Sequence, residues 1–476
     1  MKNVYILVFA LLLSGMLKAQ ERLLSYEQVG LQTRSTLNVI FGQLVDVQNG
    51  VELYAVTYLT PNVQGELDTA SGLIIKPDVQ DQPLSIALLE HGTVDGPDDV
   101  PSNLQGNAEL GIIGGAVGYL ACMPDYLGLG QSDGFHPYVH RATEASASVD
   151  MLRATLEFAE AENVALDDNL YLTGYSQGGH ASMATHELIE TQLSSAFTVT
   201  GAAHLSGPYS ISTVFPDVFL SEEEYFFPGY ATYTLMGYNE VYGLYDSLEQ
   251  WVKQPYADLS MEFYRAEVTL SELHQNLADS LLALEGEVVV RSMLQDSFLT
   301  NFQTDMDHPL RLALRDNDTY LFAPQAPTRL YYCMADDQVS FRNSLLADSV
   351  MNELGGEDIF SLDLNSELNH VECVFPALTA TVDFFTSLED VTSVEDKANP
   401  LQVQFFPNPV SDVLQLRGLP AGSELRLYNM QGVLLQRWQD QEYTVQIPVY
   451  DLPNGTYAIV VRSDQGQQRH KILVAH

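Results

Sequence analysis

The sequence predicts an α/β protein: a mostly parallel eight-stranded sheet with helices on both faces and a helical cap, followed by a small all-β sandwich. Three observations carry this. Short apolar runs alternate with helix-patterned stretches between Val51 and Leu364, as expected of a sheet covered on both sides. An aromatic-rich stretch, 209–326, interrupts that alternation and is too long for a structureless loop. Past Ser387 the chain changes to short strand-like runs separated by Gly and Pro turns, the pattern of a small sandwich.

In chain order, Met1–Ala19 reads as an export signal. Lys2 supplies the charge, Tyr5–Leu13 the apolar stretch, and Leu17-Lys18-Ala19 a cleavage site before Gln20. The run is short for a membrane span of about 20 residues, and no later stretch is long and apolar enough to cross a bilayer. Residues 20–388 form the α/β unit. Glu21 to Gly50 shows no clear period. Val51–Tyr58 alternates like a half-buried strand, and Ala70–Lys76 is a second strand closed by Pro77. Leu84–Leu89 and Ala116–Met123 are the third and fourth. Ala142–Ala161 has helical spacing, with Val149, Leu152, Leu156 and Ala159 on one face. Asn169–Thr173 is the fifth strand, Thr198–Leu205 the sixth, Arg329–Met334 the seventh and Ile359–Leu364 the eighth. The loops at Glu90–Thr93, at Pro124–Gly128, at Ser176 and after Met334 all fall beyond strand carboxyl ends, where such sheets do their chemistry.

The 209–326 insertion is rich in Tyr, Phe, Leu and Met, with a helix expected over Leu270–Leu284. It reads as a cap whose aromatic residues suit an apolar acyl pocket or simply its own core. Residues 389–400 are charged and end in proline, as a linker would be, and 401–476 form the sandwich. The tail carries Phe405-Phe406-Pro407-Asn408-Pro409-Val410, then Leu425-Arg426-Leu427-Tyr428-Asn429-Met430-Gln431-Gly432, then Leu452-Pro453-Asn454-Gly455-Thr456-Tyr457. In content and order these resemble the C-terminal sorting domains of type IX secretion substrates. The resemblance implies export by the outer-membrane secretion machinery to the cell surface or the medium.

Acidic residues outnumber basic ones 63 to 21, for a formal charge of −42. Such a surface repels phosphate backbones and anionic headgroups, so nucleic acid is not an expected partner. The acidic clusters Asp95–Asp99 and Asp316–Asp318 lack the spaced ligands of a calcium loop. His136 and His140 are four apart, but Pro137 between them argues against a helical metal-binding face. Three cysteines, Cys122, Cys333 and Cys373, allow one disulfide and a free thiol, with the pairing open.

The chemistry centres on Gly174-Tyr175-Ser176-Gln177-Gly178, between an apolar strand and a helix-like segment reaching Leu193. Strand, sharp turn and helix make a nucleophile elbow with Ser176 at its tip. The same pattern recurs at Gly130-Gln131-Ser132-Asp133-Gly134. There a loop precedes the motif and Pro137 blocks a following helix, so Ser132 is expected to be a loop serine.

A serine hydroxyl needs a histidine to take its proton and a carboxylate to orient that histidine. In the α/β-hydrolase fold the order is serine, acid, histidine. After the seventh strand, Ala335-Asp336-Asp337-Gln338-Val339 offers two carboxylates; Asp-x-Val favours Asp337, with Asp336 open. His370, past the eighth strand, is the histidine of choice, since His180 lies in the elbow helix, His204 precedes the acid and His308 lies in the cap. One oxyanion donor should be the backbone N–H of Gln177. The second is either in His91-Gly92-Thr93, through Gly92 or Thr93, or at Asp125.

The segment Pro124-Asp125-Tyr126, with Gly128, Gly130 and Ser132-Asp133-Gly134, resembles the fungal-type secretory lipases and their bacterial relatives over about Leu84–Phe375. That resemblance implies the backbone N–H of Asp125 as donor, and a carboxylesterase or lipase acting on lipid or small-molecule esters. The chemistry needs no cofactor and no metal. A serine peptidase of the same fold is the rival enzyme reading. A non-catalytic surface binding protein is the rival of another class.

Overall fold

A computed structural model describes residues 21–79 and 82–392. Beyond these it describes 403–407, 409–429, 434–441, 444–450, 452, 453, 455–463, 466–474 and 476. The expected signal and residues 393–400 of the expected linker lie outside the described residues. The chain divides into two compact units, one ending at Phe385 and the other starting at Thr386. No helix among the described residues is long and apolar enough to cross a membrane.

The first unit opens with β1 (Leu23–Gln32), α1 (Arg34–Phe41), β2 (Val51–Pro61) and β3 (Leu67–Pro77). It continues through β4 (Leu84–Glu90), α2 (Ala108–Val117), β5 (Leu120–Pro124), α3 (Arg141–Ala161), β6 (Leu166–Tyr175), α4 (Gln177–Gln192) and β7 (Gly201–Leu205). Six helices follow before the next strand: α5 (Val214–Phe219), α6 (Gly229–Tyr242), α7 (Tyr256–Tyr264), α8 (Leu270–Leu284), α9 (Asp296–Thr304) and α10 (Pro309–Asp316). Then come β8 (Thr328–Tyr332), α11 (Arg342–Glu353), β9 (Ile359–Asp363) and α12 (Val374–Thr392).

The strands lie in the order β1-β2-β3-β5-β4-β6-β7-β8-β9. β1, β2, β3 and β5 pair antiparallel, and every pairing from β5 across to β9 is parallel. The chain leaves β4 for β5 on one side and resumes at β6 on the other. The winding therefore reverses at β4, where open α/β sheets form their binding crevice. The register pairs Glu90 with Gly174, so the loops after β4 and β6 emerge side by side.

The sheet has nine strands, one more than the sequence pattern suggested. β1 is an edge strand exposed along most of its length and bulged at two points, so no buried face imposes an apolar period on it. Ala116 and Val117 end α2 instead of opening the fourth strand. α12 runs through Thr392, four residues into the stretch read as linker.

The insertion builds its own core. α8 shows how: Leu270, Leu273, Leu277 and Leu281 form one buried stripe, and Thr269 with Glu272 closes a capping box at its start. These leucines pack in the same cluster as Tyr233, Trp251, Phe263 and Phe298.

The second unit pairs β10 (Gln404–Phe406), β11 (Val413–Arg417) and β14 (Thr444–Pro448) in one sheet. The other sheet orders β13 (Leu434–Gln441), β12 (Ser423–Asn429), β15 (Gly455–Ser463) and β16 (Gly466–Val474). Leu414, Leu416 and Ile447 from the first meet Leu425, Leu427, Ile459 and Ile472 from the second in one core. The strand-like runs read from the tail, Leu401–Phe405, Val413–Leu416, Glu424–Tyr428, Tyr443–Ile447 and Thr456–Arg462, leave out β13 and β16, the edges of the second sheet, whose polar runs hide the strand period.

Candidate functional site

β6 is buried from Leu170 to Tyr175 and delivers the chain to Ser176, which takes φ 60° and ψ −120°. Such a backbone costs a residue with a side chain about 1–3 kcal/mol and persists only where its surroundings over-determine it. Here the Ser176 N–H donates to the Leu205 carbonyl at 2.9 Å, and its own carbonyl accepts from Gly179 and His180. The flanking glycines are set by contact. A Cβ on Gly178 would strike the Glu90 carbonyl, and one on Gly174 would strike the carbonyl of Gly178. At the twin motif Ser132 stays in a loop, where its hydroxyl accepts the Gly128 N–H at 3.0 Å.

His370 lies beyond β9, 5 % exposed. Its Nδ1 is 2.7 Å from Oδ2 of Asp336, whose side chain is 1 % exposed. The geometry departs from the expectation of Asp337 at this position. Asp337 points outward, and its carboxylate accepts the backbone N–H of His370 at 3.2 Å. The reason is local. The other oxygen of Asp336 accepts the N–H groups of Gln338 and Val339, at 3.0 and 2.7 Å, which turns that side chain inward and leaves Oδ2 for the ring.

Two further groups hold this histidine: Tyr175, which the sequence does not single out for that role, and a disulfide, whose pairing the sequence leaves open. The hydroxyl of Tyr175, the residue before the elbow serine, donates to the His370 carbonyl at 2.6 Å. A disulfide joins Cys333 to Cys373, three residues before Asp336 and three after His370. Cys122 is the free, buried thiol, and burial pushes its pKa up to about 12.

Asp125 does not fit the donor role. Its backbone N–H donates to the Ser71 carbonyl at 2.9 Å. Its buried carboxylate accepts from the Ser71 hydroxyl at 2.6 Å and the Ser102 N–H at 3.1 Å. The residue ties β3 to the loop after β5. The His91–Thr93 loop is the one against the serine, since a Cβ on Gly92 would lie 3.7 Å from Cβ of Ser176. The Thr93 hydroxyl meets that of Tyr138 at 2.9 Å. Gln177 begins α4, so its N–H is among the donors that a helix leaves without an internal partner.

Ser176 lines a cavity of about 510 Å³, part of it open to solvent. Its other walls are mainly apolar, and about half of them come from the insertion, including Ile211, Phe215, Phe219, Tyr225 and Tyr230. Tyr225 and Tyr230 donate to the backbone carbonyl and side-chain oxygen of Gln338, both at 2.9 Å, which ties the insertion to the loop of Asp336. Phe215 and Phe219 also wall a second apolar cavity of about 460 Å³ within the insertion.

The other histidines serve elsewhere. His204 meets the Ser182 hydroxyl at 2.7 Å, and His308 caps α10 by accepting the Leu310 N–H. His140 caps α3 at the N–H of Thr143.

The secretory lipase profile matches residues 108–387, more than half of the chain. The chain belongs to the secretory lipase family. A second profile, the secretion system C-terminal sorting domain, matches residues 404–475. A Legionella pneumophila protein assigned as a hydrolase is similar at 26 % identity and TM-score 0.70, over 80 % of this chain and all of that one. The rice cell wall degrading esterase LipA of Xanthomonas oryzae is similar at 26 % identity and TM-score 0.68, over 80 % and 100 %. Candida antarctica lipase A, at 16 % identity and TM-score 0.57 over 79 % and 84 %, shares the fold. Among curated proteins none matches. The chain is therefore an ester hydrolase of the α/β-hydrolase fold, exported by the type IX route to the cell surface or the medium.

Proposed function

We propose that this protein cleaves carboxylic esters through an acyl-enzyme on Ser176, with His370 as general base and acid and Asp336 as its orienter. The observation that carries the proposal is the contact between His370 Nδ1 and Asp336 beside the elbow. A carboxylate accepts, so Nδ1 holds the ring proton and Nε2 keeps the lone pair that takes the serine proton. Ser176 Oγ attacks the ester carbon, and the oxyanion is met by the Gln177 N–H and a donor from Gly92 or Thr93. Collapse expels the alcohol, which takes the proton from His370. Water then repeats the sequence and releases the acid.

The acyl group is aliphatic in this reading, because the cavity at Ser176 is mainly apolar and carries no fixed charge to pair with a polar acid. The leader Met1–Ala19 takes the chain across the inner membrane, and the C-terminal sorting domain takes it across the outer.

Labelling with a fluorophosphonate tests the serine. Wild type should label and Ser176→Ala should not; equal labelling of both would remove Ser176 from the reaction. Rates on short and long p-nitrophenyl esters against aminoacyl amides then separate the ester reading from the peptidase one, with ester turnover expected to dominate.

A further inference from the structure

The residue that follows the nucleophile is anchored far more firmly than a helix start requires. The Gln177 side chain is 1 % exposed. Its amide donates to Oε1 of Glu144 at 2.9 Å and to Nε2 of His136 at 2.6 Å. His136 Nδ1 faces the Leu127 carbonyl at 2.7 Å. A carbonyl accepts, so Nδ1 carries the proton and Nε2 is free to accept from Gln177. Burial agrees with a neutral ring, pushing the His136 pKa down to about 3. The other oxygen of Glu144 lies 2.6 Å from Nδ1 of His180, and Nε2 of that ring faces the Asn317 carbonyl at 3.0 Å. Both ring nitrogens of His180 therefore have a polar partner. Asn317 closes the line just past α10, where its carboxamide accepts from the Arg141 N–H and donates to Ala313 and Tyr242.

Glu144, His180, Gln177, His136 and Asn317 are each 3 % exposed or less. Burying so many polar groups in one line is costly, and apolar side chains of the same volume would join α3 to α4 at least as well. What apolar packing cannot do is hold an amide in a fixed direction. Gln177 follows a serine whose backbone is strained and stays in place only while its neighbours hold it.

We infer that Glu144 is a positioning residue for the oxyanion site. By fixing the Gln177 side chain it sets the direction of the Gln177 N–H, and through His180 and Asn317 it links that donor to the end of the cap. This rests on the proposed role of the Gln177 N–H.

The test is steady-state kinetics on a short p-nitrophenyl ester, with fluorophosphonate labelling alongside. Glu144→Ala should lower kcat about 10–100-fold with KM within about two-fold, part of the roughly 10²–10³ that loss of a whole donor costs. Glu144→Gln, whose amide can still accept from Gln177 and reach His180, should recover kcat to within about five-fold of wild type. Gln177→Met, which keeps length and loses the amide, should match Glu144→Ala, and the double variant should lose little more. Phe158→Leu, in the core away from the elbow, gives the control for stability loss alone and should leave kcat near wild type.

Folded Glu144→Ala and Gln177→Met with kcat within two-fold of wild type would overturn the inference. So would losses that simply track melting temperature, as Phe158→Leu would reveal. If Glu144→Ala does not fold, Gln177→Met decides on the same criterion. A wild type that neither labels nor turns over would defeat the hydrolase reading, and this inference with it; a labelled wild type with unaffected variants defeats this inference alone.

Discussion

Replacing Cys333 and Cys373 together by alanine probes the frame of the site more sharply than any polar substitution. The two half-cystines are 40 residues apart and fully buried. Closing a loop of that length removes about 13 cal/mol/K from the unfolded chain, or about 4 kcal/mol at 25 °C. The bond also spans the two loops that carry Asp336 and His370, so its loss reaches the site as well as the unfolded state. The double variant should unfold in guanidinium with about 4 kcal/mol less stability than the oxidised wild type. At a temperature where both are fully folded, it should also show a lower kcat on a short p-nitrophenyl ester. Wild type assayed with reductant should move toward the variant on both measures. A stability loss under about 1 kcal/mol with kcat unchanged would refute the reasoning. It would mean that the Tyr175 and Asp336 hydrogen bonds hold the His370 loop unaided.

Asp336→Asn should lower kcat by about 10³–10⁴, since an amide no longer fixes the proton on Nδ1; Asp337→Asn should stay within about ten-fold, and the reverse ranking in steady-state kinetics would exchange their roles. Phe219→Ala should open the cavity at Ser176 toward the second apolar cavity, raising kcat/KM for long p-nitrophenyl esters relative to short ones by about ten-fold, a gain worth one or two buried methylenes. Burial holds His136 down to about 3 and His140 down to about 4, against an ordinary 6.5. The unfolded chain therefore binds these protons first. The stability they contribute is complete above about pH 6.5 and is lost as pH falls, by up to about 1.4 kcal/mol per unit for each. His140→Asn keeps a helix-capping side chain and should flatten the slope between about pH 6 and 4 by one histidine's share in denaturant titrations.

The sheet from β2 to β9 and the elbow were legible because burial writes itself into sequence. Leu84–Glu90 is buried at every position and could be little else than a covered strand. β1, β13 and β16 escaped because polar or exposed runs mask them: β1 is exposed along most of its length, and in β16 the buried Ile472 and Val474 come only after the polar run Gly466–Lys471. The placing of Ser176 at the tip of the elbow and of His370 beyond β9, next to a carboxylate, was legible from order and spacing. The choice between Asp336 and Asp337 was not, because it turns on which carboxylate the Gln338 and Val339 amides capture. Asp125 misled for a similar reason: its N–H is consumed by Ser71, a partner 54 residues earlier with no mark in the local motif. The cysteine pairing was open in sequence and is fixed by the approach of two loops.

His370 is held from four directions at once. Asp336 takes its ring, Asp337 its N–H, Tyr175 its carbonyl, and the Cys373 bond anchors the chain three residues on. Ser176 is held by Leu205 at the end of β7. All these contacts come from residues at or just beyond the ends of β6, β7, β8 and β9. The insertion supplies about half of the cavity wall and meets this frame at Gln338 through Tyr225 and Tyr230. On the proposed roles, substitutions in its wall that spare those two tyrosines should therefore reshape the cavity at Ser176 without moving Ser176, His370 or Asp336. On this division of labour, changes at Phe219 should alter which ester is cleaved, while changes at Tyr225 should also alter how well any ester is cleaved.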